Sequence, residues 1–296
     1  MHAWKDSPIV TFSRGGQEVS LGRSGEDPTL HLQGSTGLGV APVLVDKSDR
    51  LGGDGSILRG VRYGDREVFI PLMVQQPSTG DLSLWRRQLN RLLAPVSGSP
   101  DDSLVEVRIQ DPATGTDRMI RGVYTGGMEG DFGPDFGGDW QTLGVTFTCP
   151  DPWWLGPERL RTLRRAPGSK PFLSQTVPFF PVILAPSNVL GEWDVDIDGD
   201  GEVWPSWEIT GPGQDLLIES GDSRIFIEGD LAAGETILIQ TRPRRITPVE
   251  MWSRTSMDST LFPLKPGSNR IKASMVNASS ATTIRLVWRE RYLEGV

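Results

Sequence analysis

The chain has 296 residues, of which 37% are hydrophobic, and its 38 acidic and 30 basic side chains give a formal net charge of −8. This length predicts two domains, and the 35 glycines and 23 prolines favour short strands joined by tight turns. The negative charge argues against nonspecific nucleic-acid binding, which needs a cationic surface, and we expect no sequence-specific contact with nucleic acid. No apolar run approaches the roughly 20 residues of a membrane-spanning helix, so we expect no membrane insertion.

Cysteine and histidine are scarce, which limits the chemistry open to this chain. Cys149 is the only cysteine, so an internal disulfide framework and a cysteine-rich zinc site are excluded, and its place at the end of a strand pattern predicts a buried thiol. His2 and His31 are the only histidines and leave little for acid–base catalysis. Because the sequence also lacks a nucleophile elbow, a zinc-protease motif and a credible triad, we expect no enzyme activity.

Short strands separated by glycine-rich loops are predicted at the start of the chain. The strand candidates are Ile9–Phe12, Glu18–Leu21 and Leu30–Leu32. The loop Gly34–Gly39 lacks the Gly-Lys-Ser/Thr ending of a phosphate loop, and no helical pattern follows it, so a plain turn is predicted. Arg66–Val74 is apolar on both faces after its first two residues, which predicts a well-buried strand.

One helix is predicted after this strand. Its apolar positions recur at helical spacing and form one packing stripe, namely Leu82, Trp85, Leu89 and Leu92. Asp81 is positioned to cap the first turn, and Pro95 ends the helix. The opposite face is polar and consists of Arg86, Arg87, Asn90 and Arg91. We expect this face to be solvated and, in an oligomer, to be a candidate for subunit contacts.

The segment Gln141–Trp154, QTLGVTFTCPDPWW, predicts a strand that stops at a rigid corner. Apolar residues alternate with threonines at a period of two, after which Pro150 and Pro152 remove two backbone donors. The glycine-rich stretch Gly126–Gly138 precedes the strand and predicts a long loop. Because an arginine-rich stretch follows the corner, we predict that the first domain spans residues 1–165 and that Trp153 and Trp154 pack at a junction between domains.

The second half has no helical period and predicts an all-β domain spanning residues 172–296. Turn signals such as Gly211–Gly213 separate eight short strands, a spacing typical of an antiparallel β-sandwich. The predicted strands are Val182–Leu184, Glu202–Ile209, Leu216–Glu219, Arg224–Glu228, Thr236–Gln240, Thr247–Trp252, Arg270–Val276 and Thr283–Arg289. The predicted fold class is therefore mainly β, and the N-terminal domain is a β-sandwich or barrel-like structure with one short helix.

The stretch Asp194–Glu202, DVDIDGDGE, carries an acidic residue at every second position. On a strand these carboxylates share one face and repel one another unless a cation lies among them. On a loop, four of them resemble the start of a calcium site, namely Asp194, Asp196, Asp198 and Asp200. The glutamate that such a site needs at its twelfth position is absent. The sequence therefore leaves open a solvated acidic loop without any cofactor and a calcium site.

Three tryptophans surround the acidic stretch, namely Trp193, Trp204 and Trp207. Flat aromatic rings beside carboxylates are typical of a sugar-binding face, so a carbohydrate-binding module that contacts host cell-wall glycans is one hypothesis. The alternative is that Trp204 and Trp207 pack in the core or between domains. A glycoside hydrolase that uses two carboxylates also stays open, because their separation in space cannot be read from the sequence.

The order of motifs over the whole chain resembles the distal tail (Dit) proteins of siphophages, particularly of phages that infect actinobacteria. The N-terminal motifs are GDGSILRG (Gly53–Gly60), REVFIPLMV (Arg66–Val74), LNRLLAP (Leu89–Pro95) and VTFTCPDPWW (Val145–Trp154). The C-terminal motifs are GDGEVWPSWEITGPG (Gly199–Gly213), LAAGETILIQT (Leu231–Thr241), LKPGSN (Leu264–Asn269) and a closing strand that ends at Tyr292. The resemblance implies that the second domain is a galectin-like sandwich.

The resemblance also implies a structural virion protein at the distal end of a phage tail, assembled in the host cytoplasm. Such proteins form a ring, usually a homohexamer, through their N-terminal domains. The ring joins the tail tube protein to the tail-tip hub, and the tape measure and receptor-binding proteins are further implied partners. We expect the loop Gly126–Gly138 to order on a neighbouring subunit.

Overall fold

The computed structural model describes residues 8–22, 28–129, 136–164 and 189–296. The chain forms two compact units, of which the first combines residues 1–156 with residues 292–296 and the second comprises residues 157–291. The predicted domain boundary between residues 165 and 172 and the predicted strand Val182–Leu184 lie outside the described residues. Residues 292–296 belong to the first unit, although they follow the second unit along the chain.

The first unit contains nine strands, the start of a tenth and one α-helix in its described part. The elements are β1 (Ile9–Arg14), β2 (Gln17–Leu21), β3 (Thr29–His31), β4 (Val43–Asp49), β5 (Ser56–Tyr63), β6 (Arg66–Gln75), α1 (Thr79–Leu93), β7 (Val105–Asp111), β8 (Thr116–Gly126), β9 (Trp140–Cys149) and β10 (Trp154–Arg164). Only the first three residues of β10 belong to this unit.

Seven of these strands form a closed, barrel-like sheet. Antiparallel pairings give the order β2-β1-β7-β8-β9-β6-β3. The amide of Gly22, just after β2, donates to the carbonyl oxygen of Thr29 in β3 at 2.8 Å and joins the two ends of the order. The two ends meet at an isolated bridge between Gly22 and Leu30, so the sheet is barrel-like. The barrel-like N-terminal domain with one helix was predicted, and the structure confirms it.

The barrel core follows from the alternation of apolar residues along the strands. Val105, Val107 and Ile109 of β7 have no exposed surface, while the residues between them are partly exposed, as a period of two requires. Leu89 and Leu92 of α1 belong to the same buried cluster. The predicted apolar stripe of the helix is therefore its packing face.

The second unit contains the rest of β10 and eight further strands in its described part. The further strands are β11 (Val189–Ile197), β12 (Ser206–Thr210), β13 (Gly213–Ser220), β14 (Ser223–Leu231), β15 (Thr236–Gln240), β16 (Arg245–Thr247), β17 (Gly267–Val276) and β18 (Thr283–Tyr292). One sheet has the order β11-β17-β13-β14, and the other contains β16-β15-β12-β18. Residues of both sheets share one buried cluster, so the unit is the predicted antiparallel β-sandwich.

Two strand predictions in this unit need correction. The segment predicted as a strand over Thr247–Trp252 is a 3-10 helix at Val249–Arg254, because Pro248 removes the backbone donor that would continue β16. The strand predicted over Glu202–Ile209 begins only at Ser206. Pro205 precedes it, and the carbonyl oxygen of Pro205 accepts hydrogen bonds from Thr241.

Candidate functional site

Strands β4 and β5 form a separate two-stranded antiparallel hairpin. Aliphatic residues make up much of both strands, and the connecting segment contains the turn sequence Gly-Gly-Asp-Gly. Gly52 and Gly55 have φ angles of 78° and 84° in this turn, a conformation that glycine adopts without steric cost. The register places Val43 opposite Tyr63 and Val45 opposite Val61.

The hairpin exposes an unusual amount of apolar surface. Almost every residue of both strands is exposed, and the relative exposure of Val45 is 55% and that of Val61 is 59%. Side chains two positions apart share a face of a strand, so Val43, Val45 and Val61 form one apolar face, hereafter the valine face. The other exposed large apolar residues of the hairpin are Leu44, Leu51, Ile57 and Leu58. Exposed apolar side chains clustered in this way are typical of an interaction surface.

The hairpin is also isolated from the other sheets, since within the described residues β4 and β5 pair only with each other. A lone two-stranded hairpin is marginally stable in water, and its outer edges carry unpaired backbone groups that can pair with another strand. A second protein surface that covers the hairpin would stabilise it and would offer partners to these backbone groups. We therefore take the hairpin as the candidate functional site.

The base of the hairpin is held by the buried side chain of Arg66, which is 1% exposed. Its guanidinium donates to the carbonyl oxygens of Gly37 at 2.7 Å and of Gly39, which lie in the loop that enters β4. It also donates to Pro152 O at 2.9 Å and to Leu293 O at 2.8 Å. These four carbonyl oxygens satisfy a buried cation. Burial nevertheless lowers the pKa of Arg66 from its usual value.

Tight packing fixes the same loop. A β-carbon on Gly37, whose φ is 80°, would lie 2.0 Å from Glu67 O, so only glycine lets the loop approach β6 this closely. At the other end of the hairpin base, the amide of Gly64 donates to Pro42 O at 2.8 Å. The ring of Tyr63 packs edge-on against Trp153 with centroids 5.4 Å apart. The direction in which the hairpin leaves the barrel is therefore set by specific contacts.

The helix presents a second surface. Its cap is Ser78, whose hydroxyl accepts from the Asp81 amide at 3.2 Å, so the expected cap at Asp81 is wrong and the helix starts earlier, at Thr79. A shallow groove runs along the predicted polar face. It is lined by Ser83, Arg86, Arg87, Asn90, Arg91 and Ala94. The basic face is a candidate for subunit contacts, as the sequence predicts.

The acidic stretch is half strand and half turn, not a loop throughout. Strand β11 continues to Ile197 and pairs with β17, which places Asp194 opposite Arg270. Arg270 and Lys272 form ion pairs with Glu192 on β11, and these contacts lower the pKa of Glu192. Asp194 therefore lies beside a basic side chain of β17, which offsets part of the repulsion expected among carboxylates on a strand.

The predicted calcium ligands do not converge in the described part of the chain. Over the described ranges, no three His, Cys, Asp or Glu side chains come together in a group that could hold a metal ion. Asp196, Asp198 and Asp200 are exposed to solvent. In the same part of the chain, no helix is long and apolar enough to cross a membrane.

The three tryptophans do not form one exposed face. Trp207 has no exposed surface and lies in the sandwich core, with its ring centroid 6.4 Å from that of Phe262. Trp193 is partly buried against the same core. Trp204 is partly exposed, and the Arg242 guanidinium lies 5.9 Å from its ring centroid. Burial removes Trp207 from any surface that contacts a sugar.

Other residues singled out in the sequence have structural positions. Cys149 has no exposed surface, and burial raises its pKa to about 12 against the opposing charge of Arg66. His31 is half-buried on β3 and pairs with the Ser35 hydroxyl at 2.6 Å, and burial lowers its pKa. Trp154 lies in the core cluster of the first unit. Residues 130–135 of the predicted loop Gly126–Gly138 lie outside the described residues.

The hairpin and its base are what the sequence analysis missed. The turn Leu51–Ser56 is recognisable, but Ser56–Tyr63 was not predicted as a strand. Two runs rich in β-forming residues that flank a Gly-Gly-Asp-Gly turn are the signal that identifies it. The role of Arg66 has no such signal, because its partners are distant in the sequence.

Comparison with known proteins gives a consistent set of likenesses. Residues 198–292 match the family model of the siphovirus-type tail component, C-terminal domain. The fold is similar to a crystal structure of the SPP1 Dit (gp 19.1) protein, described as a paradigm of the hub adsorption apparatus in phages that infect Gram-positive bacteria. That pair has a TM-score of 0.62 and 17% identity over 95% of this chain and 98% of the other.

A second likeness is to the phage P2 baseplate in its activated conformation with Ca, with a TM-score of 0.52 and 9% identity over 95% of this chain and 97% of that chain. The form of that baseplate with Sr gives a TM-score of 0.52 and 10% identity, with the same coverage. At such identities the structural likenesses establish the fold alone. No curated protein matches the chain.

Proposed function

We propose that this chain, whose residues 198–292 match the family model of the siphovirus-type tail component, C-terminal domain, is a structural tail-tip protein of the Dit type whose copies assemble into a ring through hairpin β4–β5. The observation that carries the proposal is the exposed valine face on a hairpin that pairs with no other strand of the described chain. The Dit-like fold over 95% of the chain supports a place in the tail-tip hub at the distal end of a phage tail.

A ring built from identical copies needs two different surfaces that fit each other, because each subunit meets one neighbour on each side. The hairpin supplies one of these surfaces, and it extends from the unit that carries the closed barrel. Covering it with a neighbouring copy buries Val43, Val45 and Val61 together, and such burial contributes about 25 cal/mol per Å² of apolar surface. The second copy is therefore the occupant that we assign to the valine face.

The number of copies and the other partners form the finer part of the proposal. Six copies per ring, a tail tube protein on one side and a tail-tip hub protein on the other are what the family resemblance implies. Contacts with tape measure and receptor-binding proteins extend the same scheme. The proposal needs neither catalysis nor a cofactor, because apolar burial and backbone pairing supply the assembly energy.

The proposal is tested by placing charge on the valine face. Val45→Lys and Val61→Lys, made together, put two cations into the contact, while both positions are already exposed in the single chain. Asp46→Lys is the matched control, since it adds a lysine at the neighbouring exposed position of β4, on the opposite face of the strand.

Light scattering coupled to size exclusion should find a ring for the unmodified protein and the control, and a monomer for the double variant. Circular dichroism should show the same folded spectrum for all three. A double variant that assembles like the unmodified protein would remove the hairpin from the interface.

Carbohydrate binding by the second unit is not favoured by a specific contact. Of the three tryptophans predicted to face a sugar, Trp207 is in the core and Trp193 packs against it. Trp204 keeps some exposed ring surface. A glycan array probed with Trp204→Ala and the unmodified protein tests what remains of this function.

A further inference from the structure

The base of the hairpin is held by a segment distant in the sequence. Residues 292–296, hereafter the strap, begin at the last residue of β18 and belong to the first unit. The Gly295 amide donates to Leu38 O at 2.7 Å, and Leu38 lies in the loop that enters β4. Leu293 O accepts from the same Arg66 guanidinium that binds Gly37 O and Gly39 O. Three consecutive residues of the entry loop are thus tied, directly or through Arg66, to the strap.

The strap is itself seated at several points. Gly295 is buried, and a β-carbon there would lie 2.6 Å from Trp154 Cε2, so the glycine backbone lies directly against the indole. Arg118 donates from Nη1 to Glu294 O at 2.6 Å. The guanidinium of Arg118 also lies 4.0 Å from the ring centroid of Tyr292, a distance typical of a cation–π contact.

We propose that the strap locks the hairpin in the direction required for assembly. The inference rests on the proposed function of the hairpin, and it adds that the strap controls the orientation of the hairpin. The hairpin has few contacts of its own, so its orientation depends on the loop at its base, and the strap supplies the backbone hydrogen bond that Leu38 O accepts.

The contacts at the hairpin base differ between a chain with the strap seated and a chain without it. With the strap seated, Arg66 binds four carbonyl oxygens and the Trp154 ring is covered. With the strap removed, Arg66 loses Leu293 O and Leu38 O loses its donor, so the entry loop gains freedom while the barrel strands keep their own ladders. A loose hairpin pays a larger ordering cost when it meets a neighbouring copy, and assembly weakens.

Hydrogen exchange at the hairpin base is measured in monomeric variants, separately from ring assembly. Hydrogen exchange with mass spectrometry is applied to a chain truncated after Tyr292 and to its parent, both carrying Val45→Lys and Val61→Lys so that both are monomers. We expect amides of residues 36–49 to exchange at least tenfold faster without the strap, and amides of β7 and β13 to exchange as in the parent. Deletion of Val296 alone, an exposed residue, is the control and should leave exchange unchanged.

A second variant covers the case in which truncation unfolds the first unit. Gly295→Ala keeps the chain length and places a β-carbon 2.6 Å from Trp154 Cε2, so it should displace the strap and produce the same local increase in exchange. Unchanged exchange over residues 36–49 in both variants would overturn the inference, as would a uniform increase across β7 and the hairpin base.

Failure of the proposed function gives a different result. If the valine face is not an interface, the unmodified protein and the charged variants have the same oligomeric state, yet the exchange comparison still reports whether the strap holds the hairpin. In the unmodified background, truncation after Tyr292 should shift the ring to smaller species at a given concentration. If the truncated protein forms the same ring at the same concentration, the strap has only a local structural role, and the proposed effect of the strap on assembly is overturned.

Discussion

The Arg66 guanidinium donates from Nη2 to the carbonyl oxygen of Leu293 at 2.8 Å, across 227 positions of the sequence. Arg66 is the first residue of β6, directly after the hairpin, and Leu293 follows the last strand of the sandwich. This contact joins the base of the hairpin to a segment that the chain reaches only after it has passed through the second unit. It makes the buried arginine the organising residue of the hairpin base.

The first prediction concerns this arginine. Arg66→Lys keeps the positive charge but replaces the planar fork, which binds four carbonyl oxygens, with an ammonium that has three donors. We expect the free energy of unfolding of the first unit to fall by about 3 kcal/mol, the scale of one or two lost charge-assisted hydrogen bonds. Urea denaturation measures the change. Arg87→Lys, at an exposed position of the same unit, should change it by less than about 0.5 kcal/mol.

Features that depend on neighbouring residues could be predicted from the sequence, whereas features that depend on contacts between distant residues could not. The strands around Val105–Ile109 and Gln141–Cys149 were predictable because alternation with the core is a local pattern. Hairpin β4–β5 buries neither face within its own chain, so it has no such pattern. The Arg66 cluster was not predictable, since a charged residue next to a turn is ordinarily solvated.

The acidic stretch shows a similar limit. Its spacing was visible, and so was the repulsion that a strand would impose. Arg270, which lies opposite Asp194, is on β17, and pairing between distant strands cannot be predicted from either segment alone.

The second prediction follows from the burial of Cys149. Its pKa is raised from 9.0 to about 12 in the folded protein, so between these values the unfolded state loses a proton that the folded state keeps. Stability from this group is full below about pH 9 and is lost as pH rises toward about 12. Denaturation midpoints measured from pH 8 to pH 11 should fall more steeply for the unmodified protein than for Cys149→Ala. Parallel curves would contradict the buried thiol.

The third prediction separates packing from sugar recognition. Trp207 fills the sandwich core, so Trp207→Ala should lower the stability of the second unit by about 3–5 kcal/mol. Trp204→Ala, at a partly exposed position, should cost much less. Thermal unfolding gives both values. Equal and small effects would mean that Trp207 is not a core residue.

The fourth prediction concerns calcium. Because no three His, Cys, Asp or Glu side chains of the described residues come together in a group that could hold a metal ion, we expect the acidic stretch not to bind calcium. Calorimetric titration with Ca²⁺ should give no binding heat, and the melting temperature should be the same in Ca²⁺ and in chelator. A calcium-dependent rise in melting temperature that disappears in Asp196→Asn would restore the ion site.

Imaging the purified protein by cryo-electron microscopy tests the central claim most directly. We expect closed rings in which the hairpin β4–β5 of each copy lies against the next copy, with Val43, Val45 and Val61 buried at the contact. Single chains at every concentration, or rings in which these three valines face solvent, would contradict the account.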